Sequence, residues 1–190
     1  MTSSPAPSRK PIRLPDAAYA VPGSAWLITI GTAGRIPAFT DPALADAVTS
    51  LIETRCTVMG SSLEAYCLMP DHLHLLLHVT EGNLTDIVRD IKSRTTRLWW
   101  QHGGTGTLWQ RSFHDRGLRT ANAYDDTLTY LLNNPVRAGL VTDWTDYPFL
   151  GGIAVRPSPP TPPEDAVTPG STPMQTPSPT VGENPSRVVP

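Results

Sequence analysis

The stretch YCLMPDHLHLLLHV, Tyr66 to Val79, carries three histidines and a row of aliphatic residues around a central Pro-Asp pair. Pro70 and Asp71 are turn formers. The runs on either side, SLEAYCLM and HLHLLLHV, have strand composition and read as two antiparallel neighbours. Successive side chains of a strand point to opposite faces. Leu73, Leu75, Leu77 and Val79 therefore make one unbroken apolar face that requires a core beneath it. His72, His74, Leu76 and His78 share the other. His72 and His74 lie about 7 Å apart at their Cα atoms, so both rings can converge on one cation. His78 stands about 13 Å from His74 by the same rise and is read as structural.

Working outward, SAWLITIGT (Ser24 to Thr32) follows a Pro-Gly turn signal and has strand composition. TDPALADAVTSLIETRC reads as a helix, capped at Thr40 or Asp41, with Pro42 in its first turn and a stripe of Leu44, Val48, Leu51 and Ile52. NLTDIVRDIKSRTTRLWWQHG is a second helix, capped at Asn83, with Leu84, Ile87, Val88, Ile91 and Leu98 at helical spacing. GTLWQRSFHDRGLRT reads as a short strand pair or extended segment. NAYDDTLTYLLNNP is a third helix with Asn122 near its cap, and Pro135 disfavours helical geometry at Asn134, so the helix should end there. The order is strand, helix, two strands, helix, strand, helix. It predicts an α+β sandwich of ferredoxin-like type, an antiparallel sheet with helices mainly on one face.

The 190 residues contain 21 prolines, too many for one compact fold, and they are crowded into the last segment. Residues 156–190 hold almost no aliphatic anchor and are expected to be a disordered Pro/Ser/Thr-rich tail, dispensable for folding. Residues 1–11 are expected to be a flexible N-terminus, which leaves one domain over 12–155. Cys56 and Cys67 make neither a disulfide framework nor a metal knuckle, and a reduced, cytoplasmic protein is expected. No secretory leader or membrane-spanning apolar run is apparent.

Net charge is −2, which by itself argues against a nucleic-acid binder. The average hides a positive stretch: Arg89, Lys92, Arg94, Arg97, Arg111, Arg116 and Arg119 face only Asp90 and Asp115. It is a candidate phosphate-facing surface, and equally a solvated helix face. Trp99, Trp100 and Trp109 lie within it, either to stack bases or to fill the core.

An H-x-H pair alone also suits an ordinary polar sheet face. Two imidazoles leave a cation under-coordinated, so a further ligand is required. The third helix has Tyr130 and Asn134 four residues apart, on one helix face. Taken alone, these fit a packed tyrosine and a helix-terminal asparagine.

Together with MPDHLHLLL, the later blocks GTLWQRSFHDRGLR, YLLNNPVRAGLV and DWTDYPFLGG resemble the successive blocks of REP-associated tyrosine transposases, which are HUH single-tyrosine transposases of insertion sequences. IRLPDAAYAVPGSAWLITIGT resembles their N-terminal strand region. The resemblance covers Ile12 to Gly152, and the tail has no counterpart in it. It implies that His72 and His74 bind a divalent cation, Mg²⁺ or Mn²⁺, that Tyr130 is the nucleophile, and that Asn134 supplies a third ligand. Asp71 stands where the family often has asparagine, and its role is either to tune a histidine or to contact the metal. The implied activity is cleavage and strand transfer on single-stranded or hairpin DNA, such as REP-like palindromes, through a covalent 5′-phosphotyrosine. Two rivals remain at this point: a catalytically silent nucleic-acid-binding module, and a metal-dependent hydrolase that uses water. Monomer and homodimer are both open, since a dimer can set the tyrosine of one chain beside the histidines of the other.

Overall fold

The computed structural model describes residues 14–155. The expected flexible N-terminus and Pro/Ser/Thr-rich tail lie outside these residues. Five strands form one antiparallel sheet: β1 Ala25–Gly31, β2 Ser61–Met69, β3 His72–Val79, β4 His114–Leu118 and β5 Leu150–Gly151, in the spatial order β4-β1-β3-β2-β5. The Pro70–Asp71 turn joins β2 to β3 as the opening stretch predicts. The longer helices are α1 Pro42–Val58, α2 Leu84–Gln101 and α3 Ala121–Leu132. The predicted α+β sandwich with an antiparallel sheet is therefore the fold observed.

Helix starts follow local chemistry. The Asp41 side chain accepts from the Ala43 backbone N–H at 3.0 Å, and Asn83 accepts from Thr85 at 2.8 Å, each satisfying a donor that the first turn leaves open. At α3 the cap is Thr120, not Asn122: its hydroxyl accepts from Ala123 at 3.2 Å. The segment around β4 forms one strand and an isolated bridge between Thr32 and Trp109 rather than a strand pair. Helix α3 stops at Leu132, and Asn134 begins a further short helix, α4 Asn134–Arg137. Pro135 sits in the first turn of α4, where its missing N–H breaks no hydrogen bond. The chain thus breaks at Asn133, one residue earlier than Pro135 alone suggests.

The two faces of the sheet carry different layers. Leu73, Leu75, Leu77 and Val79 are fully buried with Ile28 and Ile30 of β1 against Leu44, Val48 and Ile52 of α1 and Ile87, Val88 and Ile91 of α2. Each such side chain contributes about 1.5–3 kcal/mol of burial energy. On the opposite face Leu76, Cys67, Ala65 and Met69 pack with Leu131 of α3, and Leu128 and Tyr124 lie against them. Helix α3 therefore crosses the face that bears the histidines, while α1 and α2 cover the other. Cys56 and Cys67 are free and buried, and burial pushes both thiols up to about 12.

Trp109 belongs to the core. Its ring centroid lies 5.2 Å from that of Phe39, and its indole N–H donates to the Thr95 hydroxyl at 2.8 Å. Trp109→Ala should cost about 3–5 kcal/mol, read as a fall in the denaturation midpoint at unchanged slope. Trp100, 54% exposed, should tolerate the same change. Among the described residues no helix is long and apolar enough to cross a membrane.

Candidate active site

Strand alternation puts His72 and His74 on one side, and the register fixes what flanks them. His74 pairs with Thr29 on β1 and with Cys67 on β2; His72 pairs with Gly31 and Met69. The two imidazole centroids are 4.7 Å apart and nearly perpendicular.

Each ring is held through its Nδ1. The Asp71 carboxylate lies 2.5 Å from His72 Nδ1, and its other oxygen meets Arg35 Nε at 3.1 Å. The Asp71 carbonyl accepts from both the backbone N–H and the hydroxyl of Thr32, each at 2.9 Å, so the turn is pinned to the end of β1. Asp71 thus orients a histidine, one of the two roles open to it. With Nδ1–H donated to a carboxylate, the Nε2 lone pair of His72 is directed away and free to ligate.

His74 is 4% exposed. Its Nδ1 lies 2.9 Å from the Thr29 hydroxyl, and its Nε2 is buried with no hydrogen-bond partner among the described residues. Burial lowers its pKa to about 3, aided by His72 and Arg35 and partly opposed by Asp71. The ring is neutral at any ordinary pH, the form that binds a cation. A buried polar atom without a partner is costly, and a lone pair beside a second imidazole is relieved by a divalent ion. Thr29→Val should lower Mn²⁺ affinity by about 10–100-fold, measured by calorimetric titration, with little change in melting temperature.

Tyr130 projects from α3 over this pair. Its ring centroid is 6.0 Å from that of His74 at 82°, within the same chain, and the side chain is 41% exposed. Among the described residues no group hydrogen-bonds its hydroxyl, so no base for the phenol is identified. Asn134 stands one turn further on. Its Nδ2 donates to the Tyr130 carbonyl at 3.0 Å and to that of Leu131 at 3.4 Å, which leaves Oδ1 as the atom able to ligate. No group of three or more His, Cys, Asp or Glu residues is gathered for a metal among the described residues. A cation here would draw on the two imidazoles, whose rings stand 4.7 Å apart.

His78 points to the far end of the same face. Its Nδ1 lies 3.9 Å from Glu64, and its ring is 5.7 Å from Tyr124, apart from the other two histidines. The positive stretch divides. Arg89 pairs with Asp86, and Arg94 pairs with Asp90 at 2.9 Å. Lys92 donates to the carbonyls of Gln110 and Arg111 at 2.6 and 3.2 Å. These residues and the exposed Arg97 are carried by α2, in the layer opposite the histidines. Arg111 and Arg119 are exposed. Arg116, paired with Leu27 on β1, shares the sheet face of His74. Sequence reading missed Thr29 and Arg35: both matter through partners more than 30 residues away, which only strand register reveals.

The model of the family described as "Transposase IS200 like" matches residues 26–133, a span that contains His72, His74 and Tyr130. The chain belongs to the IS200-like transposases. Within that class it is similar to the REP-associated tyrosine transposase of Escherichia coli (strain K12), with 28% identity over 89 residues, 46% of this chain and 52% of that protein. A Haemophilus influenzae protein provisionally given the same name is 29% identical over 97 residues, 45% of this chain and 55% of that protein. The chain spans about half the length of these curated relatives. Its fold is similar to that of a REP-associated tyrosine transposase solved bound to a REP hairpin, with a TM-score of 0.56 and 21% identity over 70% of this chain and 78% of that one.

Proposed function

We propose that this chain cleaves and rejoins single-stranded or hairpin DNA through a covalent 5′-phosphotyrosine on Tyr130. The observation that carries the reading is the buried Nε2 of His74, without a hydrogen-bond partner among the described residues, beside His72 and across from an exposed phenol. His72 and His74, with Asn134 Oδ1, are the residues that would hold Mg²⁺ or Mn²⁺. Imidazole donors suit Mn²⁺ better than Mg²⁺, which prefers oxygen. Such an ion supplies positive charge against a non-bridging phosphate oxygen.

Tyr130 Oη attacks phosphorus and the bond to the 3′ oxygen breaks. The phenolic proton leaves, the departing oxygen takes up a proton as a 3′-hydroxyl, and the phosphate remains on Tyr130. Attack by another 3′-hydroxyl reverses the step and joins strands, so no nucleotide cofactor is needed. Asp71 and Thr29 keep both imidazoles in one orientation throughout. Arg116 binds a backbone phosphate near the site, and Arg119, at the His78 end of the sheet, binds one further along the strand. Arg89, Lys92, Arg94, Arg97 and Arg111 contact only DNA that extends past the sheet toward α2. REP-like palindromes are the hairpins we expect it to recognise, since the protein of similar fold is bound to one.

The test is incubation with a hairpin-bearing single strand and Mn²⁺, followed by denaturing electrophoresis. A covalent protein–DNA adduct that carries the 5′ phosphate is expected. Cleavage with no adduct at any time point would favour a hydrolase that uses water, and binding without cleavage would favour a silent DNA-binding module.

A further inference from the structure

Tyr130, Asn134 and Arg137 are spaced i, i+4 and i+7, the positions that share one helix face. The break at Asn133 does not lose that face. Asn133 N–H donates to the Thr129 carbonyl at 3.1 Å and Arg137 N–H to the Asn133 carbonyl at 2.9 Å, so helical bonding runs through the junction. Pro135 is buried at the start of α4. Gly139, with φ of 69°, closes it in the left-handed region where a side chain would be strained. The Gly139 N–H then bonds the Val136 carbonyl, and the Leu140 N–H bonds that of Pro135, both at 2.9 Å. This capped turn fixes the backbone of Arg137 relative to Tyr130.

The Arg137 guanidinium carbon lies 5.1 Å from the centroid of the Tyr130 ring. Arg35, Arg55, Arg89 and Arg94 are each paired with an aspartate. Arg137 has no carboxylate partner among the described residues. Among the described residues its charge meets the face of the phenol alone, a weak contact at an exposed position. A phosphodiester offers charged oxygens that match the planar fork of a guanidinium far better.

We propose that Arg137 binds the phosphate that Tyr130 attacks. Its guanidinium leaves the ring face, donates to a non-bridging oxygen, and stays with that oxygen when the phosphate is on Tyr130. Arg137 remains protonated throughout and breaks no bond; the only exchange is of the 3′ oxygen for Tyr130 Oη at phosphorus. It approaches from the helix side, whereas the histidine pair lies on the sheet. This inference rests on the strand-transfer reading above and adds the group that neutralises the phosphate from the tyrosine's side.

The test measures single-turnover adduct formation by the full chain with Mn²⁺, for wild type, Arg137→Gln and Arg137→Lys. Each is given the hairpin-bearing strand and the same strand with an uncharged methylphosphonate at the scissile position. Arg137→Gln should be slower by about 10²–10³-fold on the ordinary strand, with Arg137→Lys in between. On the methylphosphonate the difference should shrink to a few-fold, because no charge remains to be neutralised. Mn²⁺ affinity and melting temperature should stay at wild-type values. An equal deficit on both strands, or none on either, overturns the role of Arg137 and leaves the strand-transfer reading standing. If the methylphosphonate is inert even with wild type, the ordinary strand decides. Arg137→Lys must then exceed Arg137→Gln by about tenfold or more, and equality overturns the proposal. No adduct from wild type on the ordinary strand overturns both readings.

Discussion

Tyr130→Phe is expected to abolish the covalent adduct and to lower strand cleavage by roughly 10⁴–10⁶-fold, the scale on which removing a nucleophile acts. The change deletes one oxygen from a side chain that is 41% exposed, and among the described residues nothing hydrogen-bonds that oxygen. Melting temperature should therefore hold within about a degree or two, since surface changes of this kind cost under about 0.5 kcal/mol. Mn²⁺ affinity should also hold, because the ring meets His74 edge to face and the phenol is not needed as a ligand. Cleavage that persists in this variant without an adduct would assign the attack to water.

His72→Ala and His74→Ala form the second large prediction. Each should lower cleavage by about 10³-fold or more, as expected when charge stabilisation at a phosphoryl centre is lost, and each should remove measurable Mn²⁺ binding. Binding of single-stranded DNA should fall only a few-fold, because in the proposed mode the phosphate contacts come from arginines, and such contacts carry most of the affinity. His74→Ala is not expected to unfold the chain. It opens a small cavity but also removes a buried nitrogen that has no hydrogen-bond partner among the described residues, and the two effects oppose each other. His78→Ala is the control, since its ring lies against Tyr124 and Glu64. If His78→Ala lost Mn²⁺ while His72→Ala kept it, the site would be wrongly located.

The positive stretch shows where reading a sequence by composition is least informative. Seven cationic residues within 31 positions look like one surface. In the fold they lie in different layers, and Arg89 and Arg94 are already balanced by aspartates, while Lys92 ties α2 to the 110–111 backbone. The tryptophans divide in the same way: Trp109 is core, and Trp100 is largely exposed. Charge and aromaticity are properties of a residue, but whether they face DNA depends on what the residue packs against.

What the sequence by itself determined is whatever depends on local periodicity. Alternation along β3 sent Leu73, Leu75, Leu77 and Val79 to one face and His72 and His74 to the other. The four-residue spacing set Tyr130 and Asn134 on one side of the helical path that runs from α3 into α4, and Asp41 and Asn83 marked helix starts. These patterns are enforced by backbone geometry within a few residues. Only the tertiary structure decided that α3 crosses the histidine face and that α2 lies on the opposite one. It also decided that the Thr29 hydroxyl meets His74, and that Arg35 closes on Asp71. His74 and Tyr130 are 56 positions apart, and their meeting depends on the strand order β4-β1-β3-β2-β5 and on which face each connection takes. Those choices minimise exposed apolar area over the whole domain: Leu76 and Leu131 must be covered together, and covering them carries Tyr130 to the histidines.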